Sequence, residues 1–235
     1  MTDAIWTAIA ETLRREIVEG SRQPGDRLPT EAQLSRRFGV NRHTVRRALS
    51  RLGEEGLVHS RRGAGAFVAA RRTEYPLGAR VRFHRNIRAG GRLPSRRIDH
   101  LEERPATAEE AEALELGPSG RIVLAEGVSF ADGCPIALFA SRFPAERLAG
   151  IAQALAEVAS VTEALARVGV GDYARRSTRI GGELADPAQA AKLELSPGAP
   201  LVWTESLNVD PGGVPVEYGF TYFSGERVTL VLDHS

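Results

Sequence analysis

Apolar residues at helical spacing predict a helix at the start of the chain. They recur every three or four residues, which is the period of one face of an α-helix. The stripe consists of Ile5, Trp6, Ile9, Leu13, Ile17 and Val18. We expect this helix to run from about Asp3 to Glu19 and to end at Gly20, a residue type that favours helix termination.

Two shorter helices follow, separated by a tight turn. Thr30 and Gln33 have the spacing of a capping box, and Gly39 is expected to stop the second helix. Asn41 is expected to cap the third helix, because its side-chain oxygen can accept a backbone N–H. The buried face of that helix would carry the apolar residues Val45, Ala48, Leu49 and Leu52.

The polar residues of the third helix fall on its other faces. They are Arg42, His43, Arg46, Arg47 and Ser50. A helix fits the major groove of DNA, and an arginine fork can read guanine O6 and N7. Residues 57–68 read as a hairpin, and its Arg- and Gly-rich tip would let the backbone approach phosphate or enter the minor groove. Residues 1–70 therefore predict a winged helix-turn-helix.

Charge is distributed unevenly between the two parts of the chain. Residues 1–72 hold 14 arginines and 8 acidic residues, a net charge of +6, whereas residues 73–235 carry −5. A basic first third favours a polyanionic partner. The sequence has no run of 18 apolar residues, no signal-peptide order at its start, and one cysteine, Cys134. We expect a cytoplasmic protein without disulfides or a membrane span.

The second part contains an internal repeat with a period of 79 to 80 residues. The segment from Thr107 is echoed by the segment from Asp186, and each reads as a capped helix followed by a long hairpin. With further strands near residues 96–102 and 174–184, this predicts an antiparallel sheet of about six strands with helices on one side. The fold class is therefore α+β. Residues 71–79 read as a linker, and residues 80–235 as the second domain.

The first 70 residues resemble the GntR family of bacterial regulators. The resemblance rests on LPTEAQLSRRFGVNRHTVRRALSRLGEEGLV and GAGAFV. It implies DNA contacts from Asn41, Arg42, Thr44 and Arg46, and from Arg62 and Gly63 in the wing. Many members have Arg where this chain has Ala32. His43 and Arg47 are therefore included as DNA-binding residues that would compensate.

The second domain resembles the UTRA effector domain of the HutC subfamily, which shares its fold with chorismate lyase. The matching segments include GGRLPS, ADGCPI, ARRSTRI and GVPVEYGFTYFSGER. Within that subfamily, the pattern is most similar to PhnF-type regulators, which are associated with phosphonate metabolism. The resemblance implies a homodimeric repressor that binds an inverted-repeat operator and responds to a small molecule.

A pocket for an anionic effector needs arginine forks, hydroxyls or backbone N–H groups. The expected effector-binding residues of this kind are Arg82, Asn86, Arg142, Ser160, Thr162, Arg175 and Arg176. The resemblance implies two more, Glu217 and Tyr222, which match positions that contact ligand in relatives. Sugar-phosphate sensors of the subfamily carry two arginines and a glutamate at positions that are here Gly127, Ser129 and Phe139. This difference disfavours an amino-sugar phosphate.

Three other functions are compatible with parts of the sequence. The relationship to chorismate lyase leaves an enzyme as an alternative, but the five histidines are scattered and no HExxH, CxxC or GxSxG motif occurs. Lys192 is the sole lysine and would have to carry any Schiff base. A sensor of an imidazole acid also remains open, as does a helical metal-sensing domain. We expect no catalytic residues, no metal and no cofactor.

Overall fold

The computed structural model of the protein describes residues 2–22, 25–55, 57–61, 65–68 and 72–232. The chain divides into two compact units, Met1–Arg71 and Arg72–Ser235. Each unit has its own hydrophobic core. Across the described ranges, no helix has both the length and the apolar character needed to cross a bilayer.

The N-terminal unit consists of three helices followed by a two-stranded hairpin. Its elements are α1 (Thr2–Val18), α2 (Glu31–Phe38), α3 (Arg42–Glu54), β1 (Val58–Arg61) and β2 (Gly65–Val68). The two strands pair antiparallel, with Val58 opposite Val68. This is the order of elements predicted for a winged helix-turn-helix.

The predicted helix signals are present as local hydrogen bonds. Thr30 and Gln33 form a reciprocal capping box at the start of α2, and Gly39 ends this helix with a left-handed φ of 65°. Asn41 Oδ1 accepts hydrogen bonds from the Thr44 backbone N–H at 2.9 Å and from the Thr44 hydroxyl at 3.0 Å. The turn between α2 and α3 is therefore fixed by the backbone conformation of Gly39 at one end and by the Asn41 side chain at the other.

The core of this unit lies where α1 and α2 pack against α3 and the hairpin. Its buried members include Ile9, Leu13, Leu34, Val45, Ala48, Leu49, Leu52, Val58 and Val68. Two residues of the predicted apolar stripe lie outside this core: Ile5 is 46% exposed and Val18 is 73% exposed. Both lie at the ends of α1, outside the central turns that enter the core.

Replacing Asn41 by alanine is expected to destabilise the N-terminal unit by about 1 kcal/mol. The substitution leaves the Thr44 backbone N–H without its acceptor at the start of α3. Urea unfolding followed by the fluorescence of Trp6 would measure the loss, in a Trp203→Phe background. Asn41→Ser should restore most of it, since serine also caps helices. Equal stability of the alanine variant and the parent would contradict the prediction.

The C-terminal unit is built on a six-stranded antiparallel sheet. Its described residues form six strands in this sheet and two more, the first and the last, in a separate pair. All eight are β3 (Thr73–Leu77), β4 (Pro94–Pro105), β5 (Arg121–Ala131), β6 (Cys134–Pro144), β7 (Ala174–Leu184), β8 (Pro200–Val209), β9 (Pro215–Ser224) and β10 (Val228–Leu232). Its helices are α4 (Phe83–Ala89), α5 (Ala108–Ala113), α6 (Ile151–Glu157), α7 (Val161–Arg167) and α8 (Pro187–Lys192). The large sheet has the order β4-β5-β6-β9-β8-β7.

The internal repeat is visible in the fold as two equivalent halves. Strands β4, β5 and β6 form one half, and β7, β8 and β9 form the other, so that the order reverses at the β6–β9 junction. The helix caps Thr107 and Asp186 share φ −69° and ψ 168°. Glu115 and Glu194 follow the two helices with positive φ values of 54° and 52°. The repeat therefore extends to individual backbone angles.

Helices cover both faces of this sheet, not the single face that we expected. Val123 packs into a core with residues of α6 and α7, whereas the adjacent Leu124 packs with residues near α5. Successive residues of a strand point to opposite faces, and β5 is buried along almost its whole length. The one-sided expectation is wrong because an apolar run of this kind marks a strand covered on both sides.

Most of the predicted linker is a strand. Residues 73–77 form β3, which pairs parallel with β10 near the C-terminus. Thr73, Tyr75 and Leu77 are buried, whereas Glu74 and Pro76 are exposed. Polar composition and a proline made the segment look like a linker. Its alternate residues instead form a buried face, and its partner strand lies 155 residues further along the chain, since Thr73 pairs with Val228.

Candidate functional site

The exposed face of α3 carries a cluster of basic side chains. Asn41, Arg42, His43, Arg46 and Arg47 are all exposed at or near its N-terminal end. The opposite face is held in the core by Val45, Ala48, Leu49 and Leu52. Packing therefore fixes which side of the helix faces outward.

Arg46 is held by an acidic residue on the preceding helix. Its Nε and Nη2 donate to the two carboxylate oxygens of Glu31 at 2.9 and 2.8 Å. These hydrogen bonds from Arg46 hold the pKa of Glu31 below its ordinary value, and the charges of Arg42 and His43 act in the same direction. A two-pronged pair of this kind fixes the plane of the guanidinium.

Other predicted DNA-binding residues have different surroundings. Thr44 is buried and serves the helix cap with Asn41. The Arg47 guanidinium lies 4.7 Å from the Trp6 ring centroid, on the side of α3 that faces α1. Arg62 and Gly63, predicted for the wing tip, lie outside the described residues. Arg47 therefore lies at the α1 side of the exposed surface of α3, whereas Arg46 faces Glu31 of α2.

The C-terminal unit contains a cleft between its sheet and the helices on one face. The space between the lining atoms is about 580 Å³, a volume that includes solvent at its open mouth. Its polar lining comes from alternate residues of the central strands: Ser141 of β6, Thr204, Ser206 and Asn208 of β8, and Glu217 and Thr221 of β9. Tyr75 of β3, His84 of α4, Arg96 of β4 and Arg175 of β7 complete it.

A hydrogen-bonded chain crosses the floor of this cleft. The Ser141 hydroxyl donates to Glu217 Oε1 at 2.7 Å, and Asn208 Nδ2 donates to Glu217 Oε2 at 2.6 Å. Arg175 Nε in turn donates to Asn208 Oδ1 at 3.1 Å. Glu217 is only 9% exposed, so its carboxylate is both buried and oriented.

Arg96 lacks the hydrogen bond to a protein group that Arg175, the other arginine of the cleft, makes with Asn208. Its Cζ lies 4.7 Å from the centroid of the Phe83 ring and 4.5 Å from that of Phe139. Its Nε is buried without a hydrogen-bond partner, and burial lowers the pKa of the guanidinium from its ordinary value. Among the described residues, none forms a hydrogen bond or an ion pair with this side chain.

Burial also shifts the pKa values of neighbouring side chains. It raises the pKa of Tyr75 and of Tyr173, so both phenols keep their protons near neutral pH. Burial, with the charges of Arg96 and Arg88, lowers the pKa of His84. The cleft therefore places Arg96, Arg175 and Glu217 beside phenol and hydroxyl groups that can donate hydrogen bonds.

Three of the predicted effector-binding residues, Thr162, Arg175 and Glu217, line this cleft. Arg82 does not, since its Nη2 donates to the Tyr173 carbonyl at 2.6 Å and its guanidinium lies over the Tyr173 ring. Asn86 donates to the Pro76 carbonyl instead. Arg82 and Asn86 therefore bind backbone carbonyls of segments that form the cleft, without lining it themselves.

The remaining predicted residues lie elsewhere. Arg142 and Tyr222 follow cavity-facing residues in their strands and therefore point to the opposite face. Arg142 pairs there with the buried Glu110 at 2.7 Å. Ser160 caps the short helix α7, and Arg176 pairs with Glu115 at 2.9 Å. None of these four lines the cleft.

Arg96 was missed by the sequence reasoning, although a signal existed. Arg96 and Arg97 are adjacent in a predicted strand, so one of them must face each side of the sheet. Nothing local indicated that Phe83 and Phe139 would meet Arg96, because these residues are distant in the sequence. His84 and Tyr75 were missed for the same reason.

Comparison with known proteins identifies both units. Residues 6–68 match the family model of the bacterial regulatory proteins of the gntR family, and residues 89–229 match that of the UTRA domain. The chain belongs to the GntR family of regulators with a UTRA domain. It is 39% identical to the HTH-type transcriptional regulator RB1450 of Rhizobium meliloti, over 98% of this chain and 95% of that protein.

Two further relatives extend this similarity. The GntR-family chain is 32% identical to the probable transcriptional regulator PhnF of Escherichia coli, over 97% of this chain and 95% of that one. Its structure resembles the crystal structure of PhnF from Mycobacterium smegmatis with a TM-score of 0.67 and 26% identity. That match covers 96% of this chain and 98% of the other.

These comparisons confirm the predicted class and fold. The protein is a DNA-binding transcriptional regulator and belongs to a non-enzymatic family, so the chorismate lyase-like alternative is not supported. The α+β fold, with helix-turn-helix first and antiparallel sheet second, is also confirmed.

Proposed function

We propose that this regulator is a homodimeric repressor whose operator binding is controlled by a small anionic metabolite, such as a phosphonate, held in the cleft of the C-terminal unit. The observation that carries the proposal is the unpaired Arg96 guanidinium in that cleft. Arg96 is half-buried, and its Nε is buried without a partner. Burying part of an unpaired cation is costly, and a bound anion would offset that cost. The similarity to PhnF proteins agrees with a phosphonate or a related anion.

In the proposed DNA complex, α3 lies in the major groove. Arg42, His43 and Arg46 face the base edges, and Asn41 and Thr44 hold the N-terminal end of the helix near the backbone. The wing residues Arg62 and Gly63 contact phosphate or the minor groove. Arg47 would contact the backbone beside α1, since it lies on that side of α3.

A homodimer would present two such helices to the two halves of an inverted repeat. The effector regulates the protein if it has different affinities for the DNA-competent arrangement and the other one. Of the effector-binding residues expected from the sequence, Thr162, Arg175 and Glu217 are retained in this proposal, and Arg96 is added.

Glu31→Gln is expected to weaken discrimination between operator and random DNA while raising affinity for both. The glutamine removes a negative charge from the binding face and loosens the orientation of Arg46. We expect severalfold effects in fluorescence-anisotropy titrations with the two duplexes. Glu19→Gln, which changes an acidic residue next to α1, serves as the charge-matched control. Unchanged discrimination in Glu31→Gln would contradict an orienting role for this residue.

The proposed function is tested by titrating the full chain against DNA from upstream of its own gene. We expect a footprint with two symmetric halves, and an affinity that falls steeply as salt rises from about 50 to 200 mM. Phosphonates, phosphate esters and imidazole acids are then added to the complex. Release by a phosphonate or another small anion supports the proposal. Absence of any footprint at low salt, or release by none of these compounds, would overturn it.

A further inference from the structure

We propose that the effector is a small zwitterion, whose anionic group binds Arg96 and whose ammonium group binds Glu217. This inference rests on the proposed function, because it names the chemical class of the effector for the same cleft. It follows from the contacts that orient the two side chains, and from the hydrogen-bonding positions that each of them leaves open.

Arg96 is prepared to bind an anion through the edge of its guanidinium. The Phe83 and Phe139 rings pack within 5 Å of its Cζ, where the aromatic faces favour a cation. Contacts of this kind leave the N–H groups at the edge available to an acceptor. Because a guanidinium presents parallel N–H donors, it matches a carboxylate, sulfonate or phosphonate group.

Tyr75 near Arg96 also favours the anionic group of the ligand. Tyr75 lines the cleft, and its phenol keeps its proton because burial raises its pKa. Arg175 lies on β7, at the opposite edge of the sheet from Arg96, and donates through Nε to Asn208 beside Glu217. A bound anion would therefore meet Arg96 and the Tyr75 phenol.

Glu217 is prepared to accept further hydrogen bonds. Each of its oxygens accepts one hydrogen bond within the protein, from Ser141 or from Asn208. A carboxylate has about four acceptor positions, so roughly two remain for a ligand. Gly219 keeps one oxygen approachable, since a Cβ at that position would lie 3.7 Å from Glu217 Oε1. An ammonium group supplies the donors and the charge that this site lacks.

The side chains of Arg96 and Glu217 do not pair with each other. Arg96 and Glu217 line the same cleft and attract each other, yet they form no ion pair. Opposite charges that share a cleft without closing on each other leave a position for a molecule that joins them. A ligand with an anionic group alone would satisfy Arg96 but leave Glu217 facing added negative charge.

The first test is calorimetric titration of the full-length protein without DNA. The probes are three ω-amino acids that differ in the anionic group: β-alanine, taurine and 2-aminoethylphosphonate. Each is compared with its counterpart lacking the amino group: propionate, ethanesulfonate and ethylphosphonate. We expect at least one amino compound to bind about tenfold or more tightly than its counterpart. The amino compound that binds most tightly identifies the anionic group preferred by Arg96.

The second test uses variants that separate the two ends of the ligand. Arg96→Gln should weaken binding of the preferred amino compound and of its counterpart, each by about tenfold or more. Glu217→Gln should weaken mainly the amino compound, so that the ratio between the two affinities falls to within about threefold. Arg97→Gln is the control, because Arg97 is the exposed neighbour of Arg96 on β4 and pairs with Asp99. Urea unfolding followed by the fluorescence of Trp203, which lies in the same unit, verifies that each variant is folded.

The inference is overturned if the counterparts bind as tightly as the amino compounds, if no probe binds, or if Glu217→Gln leaves the ratio unchanged. These outcomes are distinct from failure of the proposed function. Retained operator binding with release by an anion that lacks an amino group would refute the zwitterion alone. Tight binding of an amino compound without any change in operator affinity would refute the regulatory proposal alone.

Discussion

Replacing Glu110 by alanine is expected to lower the free energy of unfolding of the C-terminal unit by about 3–5 kcal/mol. The Glu110 side chain is 7% exposed and is paired with Arg104 at 2.7 Å and with Arg142 at 2.7 Å. It also accepts the Thr107 backbone N–H in a capping box. Removing this carboxylate leaves two partly buried arginines without their shared partner.

The pH dependence of stability provides a second measure of the same site. Hydrogen bonds from Arg104, then from Thr107 and Arg142, hold the pKa of Glu110 at about 2, below its ordinary value of 4.5. A carboxylate with a lowered pKa stabilises the folded state fully above pH 4.5, and its contribution is lost as the pH falls towards 2. The difference in stability between the parent and Glu110→Gln should therefore shrink over this range.

Urea unfolding followed by Trp203 fluorescence, in a Trp6→Phe background, isolates the C-terminal unit. Glu112→Ala is the matched control, because Glu112 is an exposed carboxylate on the same helix. We expect the control to change stability by less than about 0.5 kcal/mol. Similar losses in the two variants, or a pH-independent difference for Glu110→Gln, would show that the ion pairs do not stabilise the fold.

Arg46→Ala is expected to lower operator affinity by roughly 5- to 150-fold, the range associated with loss of one two-pronged contact to a base. Its effect on random DNA should be much smaller, because contacts to bases carry the sequence preference whereas phosphate contacts do not. The structure supports Arg46 for this role, since it lies on the exposed face of α3 and its guanidinium plane is fixed by Glu31.

Fluorescence anisotropy with operator and random duplexes at one salt concentration measures both affinities. Arg15→Ala on α1 removes the same charge from an exposed position and serves as the control. It should shift both affinities equally and only slightly. If Arg46→Ala weakens binding to the two duplexes by the same factor, then Arg46 contacts phosphate and does not read bases.

Local signals predicted the N-terminal unit well. The caps Thr30 and Asn41, the stop at Gly39 and the buried face of α3 each depend on residues only a few positions apart. The repeat in the second unit was predictable for a related reason, because two copies of one pattern reinforced each other. Strand β7 has the bounds expected from its sequence, Ala174–Leu184.

The cleft was predicted only in part. Arg175 was predicted as an arginine on an expected strand, and Glu217 because it matches a ligand-contacting position of the subfamily that the domain resembles. Arg142 and Tyr222 were assigned to the same site although they lie one position away from cavity-facing residues. An error of one residue moves a side chain to the opposite face of a sheet. The sequence alone did not show which face would be opened to a ligand.

The order of the two units and the exposed face of α3 were predictable from the sequence, because helical spacing, capping and strand alternation act over short distances. The regulator class was predictable from the motifs that resemble known families. The pairing of β3 with β10, the pairing of Arg142 with Glu110 on the other face of the sheet, and the packing of Arg96 against Phe83 and Phe139 became visible only in the folded structure. Each of these depends on residues brought together from distant parts of the chain, and burial then decides which of their charges are satisfied within the protein and which are left for a ligand.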